Sequence, residues 1–140
     1  MIFKIKHIDH IVLRVTDVNL MIRFYVEVLG CSLEKVQEAM GLYQLRAGDA
    51  LIDLVPVDGV LGRMGGAAPG KAGRNLDHFC LRIDPFEAEE LIAYFQAKGV
   101  DAEQVESRYG AEGQGPSIYV KDPEGNMIEL KGPPWGGRKS

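Results

Sequence analysis

The sequence has few cysteines, no excess of basic residues and no long apolar run. Its two cysteines, Cys31 and Cys80, form no CxxC arrangement, so we expect reduced thiols and no structural disulfide. Lys and Arg total 16 against 20 Asp and Glu, and the net charge of -4 argues against binding to nucleic acid. Apolar stretches fall short of the ~20 residues of a membrane helix, and no apolar signal-peptide core opens the chain. We therefore expect a cytoplasmic protein with neither nucleic acid nor membrane as a partner.

The composition that remains is that of a folded domain. Hydrophobic residues make up 46% of the 140 residues and charged residues 26%, which excludes intrinsic disorder. A chain of this length buries enough surface to fold around one core without a stapling metal or disulfide. We expect a single domain.

An internal repeat organises the chain. The segment Ile8 to Val15, IDHIVLRV, recurs as Leu76 to Ile83, LDHFCLRI. A stretch with helical periodicity follows each copy, at Asn19 to Leu29 and at Ala88 to Ala97. Each predicted helix is followed by a glycine suited to the left-handed position past a helix C-terminus: Gly30 and Gly99.

Paired strand patterns complete each copy. The first pair is Leu42 to Arg46 with Leu51 to Val55, and the second is Ser117 to Lys121 with Met127 to Lys131. The pattern predicts an α+β fold of two tandem βαβββ modules that form a curved mixed sheet around a cleft. The predicted ranges are about 5–57 for module 1, 58–74 for a flexible glycine-rich linker, 75–132 for module 2 and 133–140 for a tail.

One segment inside the second module shows no strand or helix pattern. Residues 103–116 contain Gly110, Gly113 and Gly115, and we interpret them as a long loop. Loops of this length often close over a binding site, so the hypothesis is a lid.

Polar residues at equivalent positions of the two copies predict the site. Because side chains two apart on a strand share a face, His10 and His78 lie on the face opposite the helices. The acids of the last strand pairs, Asp53 and Glu129, are also at equivalent positions. Two imidazoles with one or two carboxylates suit a divalent metal with open coordination positions. The alternative for each histidine alone is a hydrogen-bonded residue at the edge of the core.

These segments resemble the vicinal oxygen chelate superfamily, which includes glyoxalases, fosfomycin-resistance thiol transferases, extradiol dioxygenases and bleomycin-binding proteins. The resemblance spans roughly residues 5 to 132. Its motifs are IDHIVLRVTD at 8–17, the helix end FY…LG at 24–30 and DPEGNMIEL at 122–130.

The resemblance implies a ligand set and a reaction type. His10, His78 and Glu129 fall on the three recurrent metal positions, and Asp53 falls on a fourth position that usually holds a longer residue. The implied cofactor is one divalent ion (Ni, Zn, Mn, Co or Fe(II)), acting as a Lewis acid on two neighbouring substrate oxygens while Glu129 or Asp53 moves a proton. The implied activity is that of a lyase, isomerase or thiol transferase.

Substrate contacts follow from the same resemblance. Arg14 falls where glyoxalases bind a glutathione carboxylate, and Tyr119 matches a tyrosine near the phosphonate in fosfomycin enzymes; Tyr109 is a further candidate. The alternatives are an exposed ion pair for Arg14 and packing roles for both tyrosines. The implied partners are a small molecule, with glutathione or another thiol as a candidate, and a second copy in a homodimer. Two other functions stay open: a metal-free protein that sequesters a ligand, and a small extradiol-type dioxygenase.

Overall fold

The computed structural model describes residues 1–136 and divides the chain into two compact units, Met1–Asn75 and a second that begins at Leu76. Each unit holds a mixed four-stranded sheet and one α-helix, so the predicted α+β class and the repeat of βαβββ modules are confirmed. No helix within residues 1–136 is long and apolar enough to span a membrane.

The first unit has its strands in the order β1-β4-β3-β2, with β1 and β4 parallel and the other pairs antiparallel. Its elements are β1 (His10–Val15), α1 (Val18–Arg23), a π-helical turn (Phe24–Val28), β2 (Ser32–Gln37), β3 (Leu42–Ala47), β4 (Ala50–Pro56) and a 3-10 turn (Gly62–Gly65).

The second unit repeats this topology in the order β5-β8-β7-β6, with β5 and β8 parallel. Its elements are β5 (Phe79–Arg82), α2 (Ala88–Ala97), β6 (Glu106–Gly110), β7 (Gly113–Lys121) and β8 (Met127–Lys131).

Local sequence signals fix the helix ends. Asp17 caps α1, because its carboxylate accepts a hydrogen bond from the Leu20 backbone N–H at 3.1 Å. After the helices, Gly30 and Gly99 adopt φ values of 79° and 69°, a region that glycine enters without a Cβ penalty. Both predicted helix stops are confirmed.

Each unit has its own apolar core on one face of its sheet. Leu13 and Val15 of β1 are buried, and the central strands β4 and β8 are buried along most of their length. The fully buried side chains of the first unit are Leu13, Val15, Met21, Tyr25, Leu45, Ile52 and Leu54, and those of the second are Phe95, Ile118, Val120 and Ile128 together with the hydroxyl-bearing Ser117. The opposite face of each sheet is left for polar residues.

The predicted lid loop is wrong. Residues 106–110 and 113–121 form the hairpin of β6 and β7, with Glu106 opposite Ser117 and Gly110 opposite Gly113. The strand pattern was hidden because β6 is an edge strand whose residues are mostly exposed, so apolar and polar residues do not alternate along it.

The glycine-rich segment between the modules also carries structure. It contains the 3-10 turn Gly62–Gly65, and Gly62 fits against the Pro56 carbonyl where any Cβ would collide. This segment therefore packs on the first unit, although its glycine-rich composition is typical of a flexible linker.

Candidate functional site

The first unit pairs His10 with the carboxylate of Asp53. Asp53 is 4% exposed and sits opposite Val12 in the parallel register, while His10 lies two residues before Val12 on the same face. His10 Nε2 is 4.0 Å from Asp53 Oδ2. The Gln44 side-chain amide donates long hydrogen bonds of 3.3 and 3.4 Å to the two oxygens of Asp53.

A second carboxylate fixes the other nitrogen of this ring. His10 Nδ1 is 2.8 Å from Asp9 Oδ2. This hydrogen bond, followed by the nearby charge of Asp53, raises the pKa of His10 above its ordinary value. With Nδ1 donating to Asp9, Nε2 is the nitrogen that faces Asp53.

The second unit repeats the arrangement with a shorter distance. Glu129 is 7% exposed and lies opposite Cys80, two residues after His78. His78 Nε2 is 3.3 Å from Glu129 Oε1, and His78 Nδ1 is 2.5 Å from Asp77 Oδ2. Each unit therefore holds a buried acid, a histidine and an aspartate that orients the histidine.

Sequence reasoning missed the roles of Asp9 and Asp77. The signal was present, because an Asp-His dipeptide occurs in both copies of the repeat. Histidines that bind metals commonly donate their second N–H to a carboxylate, which fixes the tautomer and makes the free nitrogen a better ligand.

The donor chemistry of each pair fits a divalent metal. An imidazole nitrogen that faces a carboxylate oxygen across 3.3 or 4.0 Å brings two electron-rich atoms together, and a cation or a proton between them satisfies both. Within residues 1–136, no group of three or more His, Cys, Asp or Glu side chains is placed to hold a metal ion. Each pair by itself offers two donor atoms to a cation.

Tyr119 is the predicted substrate residue that adjoins a pair. Its ring meets that of His78 edge to face, with centroids 5.3 Å apart, and the Arg108 guanidinium lies 4.5 Å from its centroid. Burial and then the neighbouring Glu129 carboxylate raise the pKa of Tyr119. Tyr109, on β6, is 81% exposed.

Cys80 lies on the same face as Glu129. Desolvation and then the Glu129 charge raise the pKa of its thiol to about 11. The thiol therefore stays protonated at neutral pH and is a poor nucleophile. Both cysteines are free, as expected, and Cys31 is buried.

Arg14 has a different environment from the predicted one. Its NH1 donates to the Ala67 carbonyl at 2.9 Å, and its NH2 donates to the carbonyls of Gly62 and Gly66 at 2.9 and 2.7 Å. Its backbone N–H and carbonyl bind the side-chain amide of Asn75 at 3.0 and 2.9 Å. Arg14 thus holds the glycine-rich segment against β1.

Similar proteins of known structure share this fold. The virulence protein STM3117 of Salmonella typhimurium is 30% identical over 132 residues, which cover 90% of this chain and 83% of that protein. Its crystal structure matches with a TM-score of 0.76 at 28% identity, over 93% of this chain and 98% of that one.

Two further solved structures are similar to this chain. TnmS3, an antibiotic binding protein from Streptomyces sp. CB03234, matches with a TM-score of 0.70 at 25% identity, over 94% of this chain and 98% of that chain. Lactoylglutathione lyase from Agrobacterium tumefaciens matches with a TM-score of 0.65 at 21% identity, over 93% and 96% of the two chains, a likeness of fold alone.

The family comparison agrees with the duplicated Asp-His motif and the two repeated sheets. Residues 7–130 match the sequence profile described as Glyoxalase/Bleomycin resistance protein/Dioxygenase superfamily. The protein therefore belongs to the Glyoxalase/Bleomycin resistance protein/Dioxygenase superfamily.

Proposed function

We propose that the protein is a divalent-metal-dependent enzyme, a lyase, isomerase or thiol transferase, that acts on a small substrate with two neighbouring oxygen atoms. The observation that carries the proposal is the His-carboxylate pair with an Asp-oriented ring, which occurs once in each unit. We assign His10, Asp53, His78 and Glu129 as metal ligands. The cytoplasmic location and the homodimeric state stay predictions.

Burial supports these assignments. The carboxylates of Asp53 and Glu129 are 4% and 7% exposed, and a buried carboxylate is costly to keep ionised without a positive partner. A divalent ion held by these side chains would supply that charge and would polarise substrate oxygens as a Lewis acid. Each histidine is presented by its aspartate in the tautomer that leaves Nε2 free to bind.

The chain's own groups provide the proton transfer and orientation. We propose that a carboxylate oxygen of Glu129 or Asp53, the acids on the polar sheet faces, accepts the proton removed from the substrate carbon. Tyr119 packs against His78 and keeps its hydroxyl protonated, since its pKa is raised, so it can donate a hydrogen bond to a substrate oxygen. Cys80 stays a thiol, so in a thiol-transfer reaction the thiol comes from the second substrate.

Elemental analysis of protein purified without chelator or affinity nickel tests the proposal. We expect stoichiometric divalent metal, or its recovery when the metal-free protein is titrated with Mn, Fe(II), Ni, Co or Zn. The double variant His10→Ala/His78→Ala should lose this metal. His7→Ala is the matched control, because His7 is exposed and bonds only locally to the Ile8 carbonyl. Equal metal content in the double variant and the control would overturn the ligand assignment.

A second candidate function is ligand sequestration without catalysis. The similarity to the antibiotic binding protein TnmS3, at 25% identity and a TM-score of 0.70, favours it. The same experiment separates the two, because a sequestering protein without metal would show none after reconstitution.

A further inference from the structure

We propose that the second unit carries a binding subsite for a small oxyanion, the carboxylate or phosphate group of a ligand, built around Lys131 and Arg108. The inference deepens the proposed function by giving the substrate an anionic group. Its observations lie entirely within the second unit and require no metal.

The Lys131 side chain is largely buried, and its ammonium has no protein partner among the residues described. It is the last residue of β8, it is 7% exposed, and within residues 1–136 its ammonium has neither a hydrogen bond nor an ion pair. Lysine is rarely buried this deeply unless its charge is paired. Lys131 Nζ itself is not fully enclosed by the residues described. The ammonium therefore contacts solvent and is accessible to a ligand.

Two glycines make room for this side chain. A Cβ at Gly110 on β6 would lie 2.7 Å from Lys131 Cε, and a Cβ at Gly115 on β7 would lie 3.0 Å from Lys131 Nζ. The lysine therefore crosses the face of β7 and ends beside Gly115, near the Pro133 carbonyl. The backbone of the sheet thus fixes the position of the ammonium.

Arg108 places a second cation on the same face of the sheet. Its NH1 donates to Ser117 Oγ at 2.6 Å, and Ser117 is opposite Lys131 in the strand register. Within residues 1–136 Arg108 forms no ion pair with an acid. Arg108 and Lys131 therefore lie on the same face of the sheet, and an anion that contacts both would offset the repulsion between the two cations.

The acids of this face have other partners. Glu112 accepts from Arg82 at 2.7 Å, and Glu129 faces His78 at 3.3 Å. Glu129 and Lys131 are two residues apart on β8 and share a face, so the subsite adjoins the His78 pair. A substrate that reaches Glu129 with one end can reach Lys131 with another.

Titration of chelator-treated, metal-free protein with phosphate and with acetate, at constant ionic strength maintained with NaCl, tests the subsite. Amide NMR shifts of β7 and β8 report binding, and the two anions distinguish a phosphate from a carboxylate ligand. We expect Lys131→Met to weaken binding by about tenfold or more, the usual size of a charged hydrogen bond. Lys121→Met, which removes an exposed lysine from the end of β7, should bind like the parent protein.

A second variant keeps the charge and guards against a folding defect. Gly110→Ala should displace the Lys131 side chain and weaken anion binding while thermal unfolding stays near that of the parent. Undetectable binding of both anions, or equal affinity in the parent, Lys131→Met and Gly110→Ala proteins, would overturn the proposal. His10→Ala, which alters only the pair of the first unit, should keep its anion affinity, so failure of the metal assignment is distinguishable from failure of the subsite.

Discussion

At the scale of single residues, the aspartates beside the two histidines do more than carry charge. The carboxylates of Asp9 and Asp77 each hydrogen-bond to Nδ1 of the histidine that follows, and this leaves Nε2 of each histidine facing a buried acid. We expect Asp9→Asn and Asp77→Asn each to lower metal affinity by about tenfold, the typical effect of losing a carboxylate that orients a ligand. Competition with a chromophoric chelator measures this, and Asp58→Asn, in an exposed turn, is the control. Unchanged affinity in both variants would show that the aspartates do not position ligands.

The ion pair of Glu34 and Arg46 gives a pH-dependent prediction at the same scale. Arg46 donates to both carboxylate oxygens at 2.9 Å and lowers the pKa of Glu34 below its ordinary value of 4.5. Because the folded pKa is the lower one, this pair stabilises the fold above pH 4.5, and the contribution is lost as the pH falls through the folded pKa.

An NMR titration of the Glu34 carboxyl carbon checks this. We expect Arg46→Met to move the Glu34 pKa back up toward 4.5 and Arg23→Met, in α1, to leave it unchanged. Since both partners are partly exposed, we expect the effect on unfolding to be small. An identical Glu34 titration in the parent and Arg46→Met proteins would contradict the prediction.

At the scale of elements, one side chain decides how the segment after β4 behaves. The guanidinium of Arg14 binds the carbonyls of Gly62, Gly66 and Ala67. Arg14→Ala should release this segment, and we expect trypsin to cut after Arg63 several times faster than in the parent. Timed digestion with mass spectrometry measures the rate. Arg23→Ala is the control, and an unchanged rate in Arg14→Ala would mean that the segment is held by other contacts.

Some elements follow directly from the sequence and others do not. The bounds of α2, Ala88–Ala97, match the predicted helix, because its apolar spacing and the following glycine are both local signals. The strands that were not located from the sequence are β2 and β6. Each lies at one edge of its sheet and is mostly exposed, so no alternation of apolar and polar residues marks it. The π-helical turn at Phe24–Val28 was not predicted either, because the helical spacing of apolar residues continues through it.

At the scale of the whole molecule, duplication explains how much of the site could be predicted. The repeat placed Asp53 and Glu129 at equivalent positions, and each unit brings its acid to the histidine that the repeat had singled out. The cations at Arg108 and Lys131 were beyond prediction, because Lys131 falls at a strand end and its glycine neighbours come from two other strands. Residues that occur in both copies of the repeat can be predicted from a single sequence, whereas residues that occur in only one copy are recognised only from the structure.

The side-chain amide of Asn75 has a consequence for aggregation. β1 ends its sheet, and an edge strand offers unpaired backbone groups on which a strand from another molecule can add. By binding the N–H and the carbonyl of Arg14, Asn75 occupies a donor and an acceptor near the C-terminal end of that edge. A first-module fragment that ends before Asn75 should therefore self-associate through β1 more than a fragment that ends after Asn75, and light scattering of the two fragments compares them.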